Sequence, residues 1–264
     1  MTPQTFATQN NTIASASHAL TNQVVYALAE PFLVSGKRVL DLGCGKGHMT
    51  RRLADGLARQ GVRASEMLTA CDVVEEGYAC PDIPFVTADL NKPLPFASDS
   101  LDLIVSVEVM EHIHVFYELL SECARIVHPG GVLIFSVPNL LHMVSRFSFL
   151  LTGFYDMYIV PSTELRNAGR LCGHVMPLSL AYLAYGLRRS GFDEIQIHAD
   201  RRKTSAAALG LLFYPFLKLG SLLYERKIKA YDRLVYEENQ SIIPAMNHWD
   251  MLTSRSCILV ARKR

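Results

Sequence analysis

The stretch Val39-Leu40-Asp41-Leu42-Gly43-Cys44-Gly45-Lys46-Gly47 joins a short apolar run to three glycines at alternate positions. An apolar run that stops at a glycine cluster is typical of a buried parallel strand. Apolar residues then recur four apart, at Met49, Leu53 and Leu57, and predict a helix that ends near Gly61. A strand, a glycine turn and a helix start together allow the backbone to approach a ligand closely.

The spacing of these glycines narrows the kind of ligand. It is G-x-G-x-G, whereas dinucleotide sites use G-x-G-x-x-G. No Gly-Lys-Ser/Thr follows, which disfavours a loop that cradles nucleotide phosphates. The loop therefore argues against an NAD-dependent oxidoreductase and against a P-loop enzyme.

Similar apolar runs recur along the chain and alternate with helical patterns. This alternation predicts an α/β protein: a Rossmann-like, seven-stranded, mostly parallel sheet with helices on both faces, plus helical insertions. We expect one domain over residues 1–264, with an N-terminal arm and helix at 1–35. The predicted strands are residues 38–42, 67–73, 84–90, 101–107, 132–137, 194–197 and 257–260, and the predicted helices include 22–30, 114–127 and 178–187.

Acidic residues stand in or after the first three predicted strands. Asp41 places a carboxylate at the edge of the glycine loop, where it suits a cationic group. Asp72 ends the second strand, where a carboxylate can accept both hydroxyls of a ribose. Asp89 ends the third strand and can accept from an exocyclic amine, while Leu90 covers a base ring. A site with partners for a cationic amine, a ribose and an adenine fits S-adenosylmethionine better than NAD.

These residues carry a family resemblance. The run VLDLGCGKG, the acid at Asp72, the step Ala88-Asp89-Leu90 and the segment SVEVMEHI at residues 106–113 resemble the class I S-adenosylmethionine-dependent methyltransferases. The Glu-His pair in that segment resembles the branch that includes the ubiquinone-biosynthesis methyltransferases. The resemblance covers residues 36–138 well and residues 176–200 and 255–264 loosely. It implies a cofactor-binding core at 36–138, and substrate-side or lid insertions at 139–175 and 200–254.

The resemblance also implies roles for individual residues around the cofactor, S-adenosylmethionine. By this resemblance, Asp41 and the three glycines of the loop bind the methionine end of the cofactor and the adjacent backbone. Val107 lines the methionine side. Asp72 binds the ribose hydroxyls, and Val73 lies beside the adenine. The full implied set is Asp41, Gly43, Gly45, Gly47, Asp72, Val73, Asp89, Leu90 and Val107.

Catalytic candidates lie after the fourth predicted strand. Methyl transfer from a sulfonium needs alignment, and a general base when the acceptor is a hydroxyl. His112 is the first candidate for that base, and Glu111 orients it or acts itself. The alternative is a structural Glu-His pair that caps the following helix. Weaker candidates are His114, His142 and His174. We expect no metal, because the spacing of Glu111, His112 and His114 matches no strong metal signature.

Hydrophobic residues make up 50% of the chain and charged residues only 19%. The excess lies mainly at 139–160 and 205–224, within the two insertions. Gly210, Pro215, Lys218 and Gly220 disfavour a membrane-spanning helix at 205–224. Two interpretations stay open: a lid with a second small core, or a surface that contacts the membrane, where flanking cations meet anionic headgroups. A lid lined with apolar residues also suits a lipid-linked acceptor.

The sequence thus predicts an S-adenosylmethionine-dependent methyltransferase that O-methylates a small-molecule or lipid-linked acceptor, of glycan or quinone type. The alternative is a non-catalytic, methyltransferase-like subunit of a biosynthetic complex. With 26 Lys+Arg against 25 Asp+Glu, a nucleic-acid partner is not expected. Residues 1–35 show no secretory signal pattern, and no two of the six cysteines form a C-x-x-C pair. We therefore expect a cytoplasmic protein, peripheral at the membrane if the apolar insertion contacts lipid.

Overall fold

Seven strands form one sheet in the order β3-β2-β1-β4-β5-β7-β6. The computed structural model describes residue 13 and residues 17–159 and 173–264. The first five strands run parallel, while β7 is antiparallel to both β5 and β6. The strands are β1 Val39–Leu42, β2 Leu68–Asp72, β3 Phe85–Thr87, β4 Leu101–Val107, β5 Val127–Pro138, β6 Phe192–Ala199 and β7 Ser256–Lys263.

Helices cover both faces of this sheet. The helices are α1 Ala19–Ala29, α2 His48–Arg59, α3 Ala64–Met67, α4 Phe116–Ile126, α5 Met143–Thr152, α6 Leu180–Arg189, α7 Thr204–Tyr231, α8 Arg233–Asn239, α9 Ile242–Ala245 and α10 Trp249–Thr253. Two apolar cores result, one beneath α1 and α2 and one beneath α4 and α6. The Rossmann-like, seven-stranded, mostly parallel fold predicted from the sequence is confirmed.

The parallel pairing explains where a site forms. Leu40 of β1 pairs with Thr69 of β2 and with Ile104 of β4, so the three strands stop at one edge of the sheet. Each of these strands is mostly buried. Because parallel strands end together at their carboxyl ends, the loops that follow them converge on a single crevice.

The fifth strand differs from its prediction. The sequence predicted a strand at 132–137, but β5 begins at Val127, directly after α4. Its pairing with β4 shifts register between Leu101 and Leu103. Gly130 has φ +84°, a conformation that glycine adopts without a Cβ clash. The glycine therefore forms an irregularity inside the strand, and the predicted start of this strand was wrong.

The apolar stretch of the second insertion is one continuous helix. The sequence predicted only that Gly210, Pro215, Lys218 and Gly220 disfavour a membrane-spanning helix, and in the structure α7 runs unbroken for 28 residues with Pro215 inside. Proline removes one helical hydrogen bond, and here it sits at an exposed position. Among the described residues, α7 is the helix that is long and apolar enough to cross a membrane, by length and composition only. The part of the first insertion at residues 160–172 lies outside the described residues.

A third apolar core lies between the insertions. Met143 of α5, Ala206 of α7 and Leu252 of α10 are buried together, and Phe147 meets Phe213 with ring centroids 4.9 Å apart. The second small core expected for a lid is therefore present. It fixes α7 to the rest of the chain along one side of the helix.

Replacement of Leu252 tests this third core. Its side chain is fully buried, so Leu252→Ala leaves a cavity and should lower the free energy of unfolding by about 2–4 kcal/mol. Leu211→Ala on α7 is the control, because Leu211 is 74% exposed and the change should stay within about 0.5 kcal/mol. Chemical denaturation measures both. Equal small effects would show that α7 is not held by this core.

Candidate functional site

The glycine loop approaches the neighbouring strands closely at the carboxyl end of β1. The backbone N–H groups of Gly43 and Cys44 both donate to the Cys71 carbonyl, at 2.8 and 3.0 Å. Gly43 has φ +77°, and a Cβ there would lie 2.5 Å from a methyl carbon of Val109. A side chain at this position would therefore collide with the segment that follows β4. Gly45 and Gly47 also have positive φ, and Gly47 precedes the first turn of α2.

Asp41 lies beneath the loop, where no part of it is open to solvent. Its side chain is 1% exposed and accepts a hydrogen bond from the Thr50 hydroxyl at 2.5 Å. Burial, helped by the nearby charge of Asp72, raises the pKa of Asp41 to about 7, although the hydrogen bond from Thr50 opposes the shift. The sequence placed this carboxylate at the edge of the loop. The structure instead places it behind the loop, between β1 and α2.

Asp72 holds the loop from the side of β2. Its carboxylate accepts the Gly45 N–H at 2.8 Å and the Val73 N–H at 2.7 Å. A carboxylate can accept about four hydrogen bonds, so Asp72 keeps capacity for a ligand's hydroxyl groups. The Val73 side chain is exposed beside it. The structure thus brings together the predicted residues Gly43, Gly45, Asp72 and Val73.

The third acid stands at the end of β3. The Asp89 carboxylate accepts the Asn91 backbone N–H at 3.0 Å, and this bond lowers the pKa of Asp89 below its usual range. Leu90 is buried in the apolar core under α4. Val107 packs, partly buried, against the core on the opposite face. Asp89 therefore offers an ionised acceptor, while Leu90 contributes mainly to the core.

The two predicted catalytic residues lie in one turn of 3-10 helix, Met110–His112, directly after β4. Glu111 is 1% exposed, and neither carboxylate oxygen has a hydrogen-bond partner among the described residues. Burial raises the pKa of Glu111 well above its usual range, and the charge of Glu108 adds to that shift. His112 is half-buried. The backbone carbonyl of Glu111 accepts the N–H groups of Val175 and Met176, at 2.8 and 3.1 Å.

His174 joins this pair from the first insertion. Its Nε2 lies 3.9 Å from Glu111 Oε1, and its ring centroid lies 5.0 Å from that of His112. Ligating atoms of Glu111, His112 and His174 all lie within 4.8 Å of one another. The histidine that the sequence considered as a third metal ligand, His114, is exposed, and its N–H donates to Asn91. The third member of the cluster is therefore His174.

His142 belongs to a separate cluster. It is fully buried at the start of α5, and its Nε2 lies 3.4 Å from Asp156. Burial lowers the pKa of His142 to about 4, although Asp156 opposes that shift. Lys203 also pairs with Asp156, at 2.9 Å. This pairing ties the first insertion to the start of α7.

Sequence reasoning missed Glu108. It has φ +54°, which is unusual for a residue with a side chain, and it accepts the Ser136 hydroxyl at 2.9 Å. Its pKa is raised by burial. The clue was the first of the two acids in the segment SVEVMEHI, three residues before Glu111.

Comparison with known proteins places residues 40–135 in a family described as a methyltransferase domain. Over 120 residues the chain is 32% identical to a ubiquinone biosynthesis O-methyltransferase of Coxiella burnetii, which covers 42% of this chain and 48% of that protein. It is 33% identical over 118 residues to a probable S-adenosylmethionine-dependent methyltransferase of Mycobacterium tuberculosis, covering 45% of this chain and 41% of that one. The chain thus spans about half the length of the curated relatives it matches.

The fold also has solved counterparts. A SAM-dependent methyltransferase from Archaeoglobus fulgidus superposes with a TM-score of 0.54 at 17% identity, over 92% of this chain and 94% of that one. At this identity the likeness concerns the fold alone. The resemblance to class I S-adenosylmethionine-dependent methyltransferases, drawn from the sequence, is confirmed by these matches.

The buried acid Asp41 should give stability a measurable pH dependence. Its folded pKa of about 7 lies above its unfolded value, so it holds its proton longer in the folded chain. Its contribution to stability is present at low pH and is lost as pH rises through about 7. Asp41→Asn stays neutral, so the melting temperature of this variant relative to the wild type should increase between pH 5 and pH 8. Differential scanning calorimetry measures both proteins.

Asp55→Asn provides the control, because Asp55 is an exposed carboxylate on α2, the helix that carries Thr50. Its melting temperature should track that of the wild type over the same pH range. A pH-independent difference between wild type and Asp41→Asn would contradict the assigned burial of the charge.

Proposed function

We propose that this chain transfers a methyl group from S-adenosylmethionine to an acceptor. The premise is that residues 40–135 form a methyltransferase domain on the class I fold. The main observation behind the proposal is the hydrogen bond between the glycine loop and Asp72. There, Gly45 donates to a carboxylate that retains capacity for further donors. The names of the curated relatives support the same chemistry.

The cofactor is assigned to the crevice at the carboxyl ends of β1 and β2. Asp72 takes the ribose hydroxyls, with Val73 against the adenine. Asp89 accepts the exocyclic amine, and Leu90 supports that end from the core. The methionine end lies along the glycine loop and Val107. Asp41 acts from beneath the loop, where the positive charge of the bound cofactor favours the ionised form of its carboxyl group.

The reaction is a displacement at the methyl carbon. An acceptor oxygen forms the new bond to carbon, the carbon–sulfur bond breaks, and its electron pair returns to sulfur as a neutral thioether. The hydroxyl proton must leave, and we assign its removal to His112, with Glu111 as its neighbour in the same turn. We favour oxygen as the methylated atom, since the Coxiella burnetii relative is named an O-methyltransferase.

Calorimetric titration with S-adenosylmethionine and a methyl-transfer screen against lipid and soluble cell fractions test the proposal together. Asp72→Asn should weaken cofactor binding by about tenfold or more, because a charged acceptor is lost. Asp193→Asn on the distant strand β6 should bind like the wild type. Cofactor binding without transfer to any fraction would favour the non-catalytic subunit, and absence of binding would overturn the assignment of the cofactor.

His112→Ala should slow turnover by about 10²-fold while leaving cofactor affinity unchanged, as loss of acceptor activation would. His114→Ala is the matched control, because that neighbouring histidine is exposed. Steady-state kinetics and calorimetry give the two readouts. Turnover near the wild-type rate would remove His112 from the chemistry.

The acceptor side carries an unusual apolar surface. We define the apolar ridge as the exposed leucine and phenylalanine side chains of α5 and α7. Most of these are more than half exposed, and on α7 they recur at helical spacing along one stripe, as expected for an amphipathic helix that faces lipid. The ridge comprises Phe149, Leu150, Leu151, Leu211, Leu212, Phe216, Leu219, Leu222 and Leu223.

The opposite side of α7 is held by protein. Asn247 donates to the Leu217 carbonyl and to the Ser221 hydroxyl, at 3.3 and 2.7 Å. Tyr236 donates to Glu225 at 2.9 Å. A helix with polar partners along one side and leucines along the other suits the surface of a bilayer better than its interior. We therefore propose that the ridge lies in the membrane interface of the cytoplasmic face.

Cations border the ridge at the start of α7. A pocket beside Thr204 is lined by Arg201, Arg202, Lys203 and Arg255. Of these, Arg201, Arg202 and Lys203 also pair with Asp200, Asp250 and Asp156 respectively. Basic groups next to an apolar surface favour anionic headgroups. A lipid-linked acceptor, of quinone or glycan type, would reach the site from such a surface.

Flotation with vesicles tests the membrane contact. The wild type should float with phosphatidylcholine–phosphatidylglycerol vesicles and less with phosphatidylcholine alone. The triple change Leu212→Ser, Phe216→Ser and Leu223→Ser should weaken association by more than about tenfold, because three apolar side chains no longer insert. Tyr182→Ser and Tyr185→Ser on α6 remove exposed aromatic rings elsewhere and should have no effect. Absence of flotation, together with full activity on a soluble acceptor, would overturn the lipid assignment.

A further inference from the structure

A basic pocket lies beside the first turn of α7. Its volume is about 400 Å³, which is within the range of small-molecule sites, and its walls carry four cationic side chains and Thr204. Three of the cations come from the residues that lead into α7, and the fourth directly precedes β7. They are Arg201, Arg202, Lys203 and Arg255, and none of the described acidic side chains lines the pocket with them.

Backbone hydrogen bonds hold these cations against the sheet. The Lys203 N–H donates to the Thr253 carbonyl at 2.8 Å. The Arg255 N–H donates to the Arg201 carbonyl at 3.1 Å, and the Arg255 carbonyl accepts the N–H of Asn139, the residue after β5, at 2.9 Å. The two segments that supply the cations are therefore paired with each other and with the end of the sheet. A ligand meets a preformed pocket, which lowers the ordering cost of binding.

Arg255 is the cation that the protein leaves without a counter-charge. The other three cations each pair with an aspartate, at 2.8 to 2.9 Å. The Arg255 guanidinium has no ion pair or hydrogen bond with any described residue, although the side chain is partly buried. A cation in that position has lost part of its hydration without protein compensation. The pocket thus has one positive charge in excess, carried by a planar group whose donors match phosphate oxygens.

The charges of the pocket reach the turn after β4. Burial lowers the pKa of His174, and the charges of His112 and Arg255 lower it further. Burial raises the pKa of Glu108, and the charge of Arg201 opposes that shift. Because such effects weaken with distance and with screening, the pocket lies near the imidazoles where the acceptor hydroxyl is assigned.

The apolar ridge begins on the same helix as the pocket. Thr204 is the first residue of α7, and Leu211 of the ridge follows seven residues later, about 10 Å along the helix axis. An elongated acceptor can therefore place an apolar chain on the ridge, an anionic group in the pocket and a hydroxyl-bearing head at the turn. A lipid-linked sugar has this order of parts, because a phosphate or diphosphate joins its lipid to its sugar. A prenylated phenol has its chain directly on the ring.

We propose that the basic pocket binds the phosphate or diphosphate group of the acceptor, and that the acceptor is a sugar joined to a lipid through that group. Its role as acceptor rests on the proposed methyl transfer, whereas the binding of a lipid phosphate does not. Arg255 donates to the phosphate oxygens, and the neighbouring Arg202 and Lys203 add positive charge around them. The pocket thereby favours the glycan type of acceptor over the quinone type.

The test measures the binding of three soluble probes by titration calorimetry, with no membrane and no divalent cation present. Geranyl diphosphate has a short isoprenoid chain and a diphosphate, geraniol has the chain alone, and inorganic diphosphate has the charge alone. We expect geranyl diphosphate to bind at least about tenfold more tightly than either of the others, because it alone makes both the charged and the apolar contacts.

Variants of Arg255 locate the bound probe. Arg255→Gln should weaken the binding of geranyl diphosphate by at least about tenfold, and Arg255→Lys, which keeps the charge, should weaken it less. Arg226→Gln is the matched control, because it removes one positive charge from an exposed position near the other end of α7 and should bind like the wild type. Thermal melting checks the fold, and Arg255→Gln should melt like the wild type.

A second arm separates the phosphate of the acceptor from that of the bulk membrane. Arg255→Gln should float with phosphatidylcholine–phosphatidylglycerol vesicles as the wild type does, while its affinity for geranyl diphosphate falls. Equal losses in both assays would assign the pocket to phospholipid headgroups and overturn the proposal. It would also be overturned if geranyl diphosphate did not bind, or if inorganic diphosphate bound as tightly.

Methyl-transfer assays separate the pocket from the proposed function. Transfer to an acceptor without phosphate, at equal rates in wild type and Arg255→Gln, would overturn the role of the pocket and leave the proposed function standing. Binding of geranyl diphosphate that Arg255→Gln loses, without transfer to any acceptor, would support the phosphate site and count against the function. Transfer to a lipid-linked sugar that falls in Arg255→Gln but not in Arg226→Gln would support both.

Discussion

The single hydrogen atom that serves as the side chain of Gly43 allows the loop after β1 to lie against Val109. In that position the loop donates two N–H groups to the Cys71 carbonyl, which joins the ends of β1 and β2. Asp72 then reaches the Gly45 N–H. The crevice at the carboxyl ends of the strands depends on this close approach, because a Cβ at position 43 would separate the loop from the segment after β4.

Burial of carboxyl groups is the second constraint around this crevice. Asp41 lies under the loop with Thr50 as its hydrogen-bond partner, and Glu111 lies under the turn after β4 with no partner in the described residues. In both cases burial raises the pKa and makes the ionised form costly in the empty protein. Such cost is typical of functional sites, where a cationic ligand offsets it. One acid lies behind the loop that follows β1, and the other lies in the turn that follows β4.

Outside the crevice, the two insertions behave as one unit. The third core joins α5, α7 and α10, and the pair formed by Lys203 and Asp156 links the start of α7 to the first insertion. The apolar ridge is the side of this unit that the core leaves uncovered. The surplus of hydrophobic residues in the composition is thus divided between a small core and an exposed surface.

The sequence by itself determined the order of strands and helices, the glycine turn and the acids that follow β1, β2 and β3, because these depend on local patterns of apolar residues and glycines. It misjudged features that depend on distant neighbours. The fifth strand was expected to begin at residue 132, but it begins at Val127, which pairs with Leu101 of β4. Asp41 was expected at the edge of the loop, but α2 covers it. His174 meets Glu111 only because β4 and the first insertion end at the same place, and no local pattern records a contact between residues so far apart in the chain.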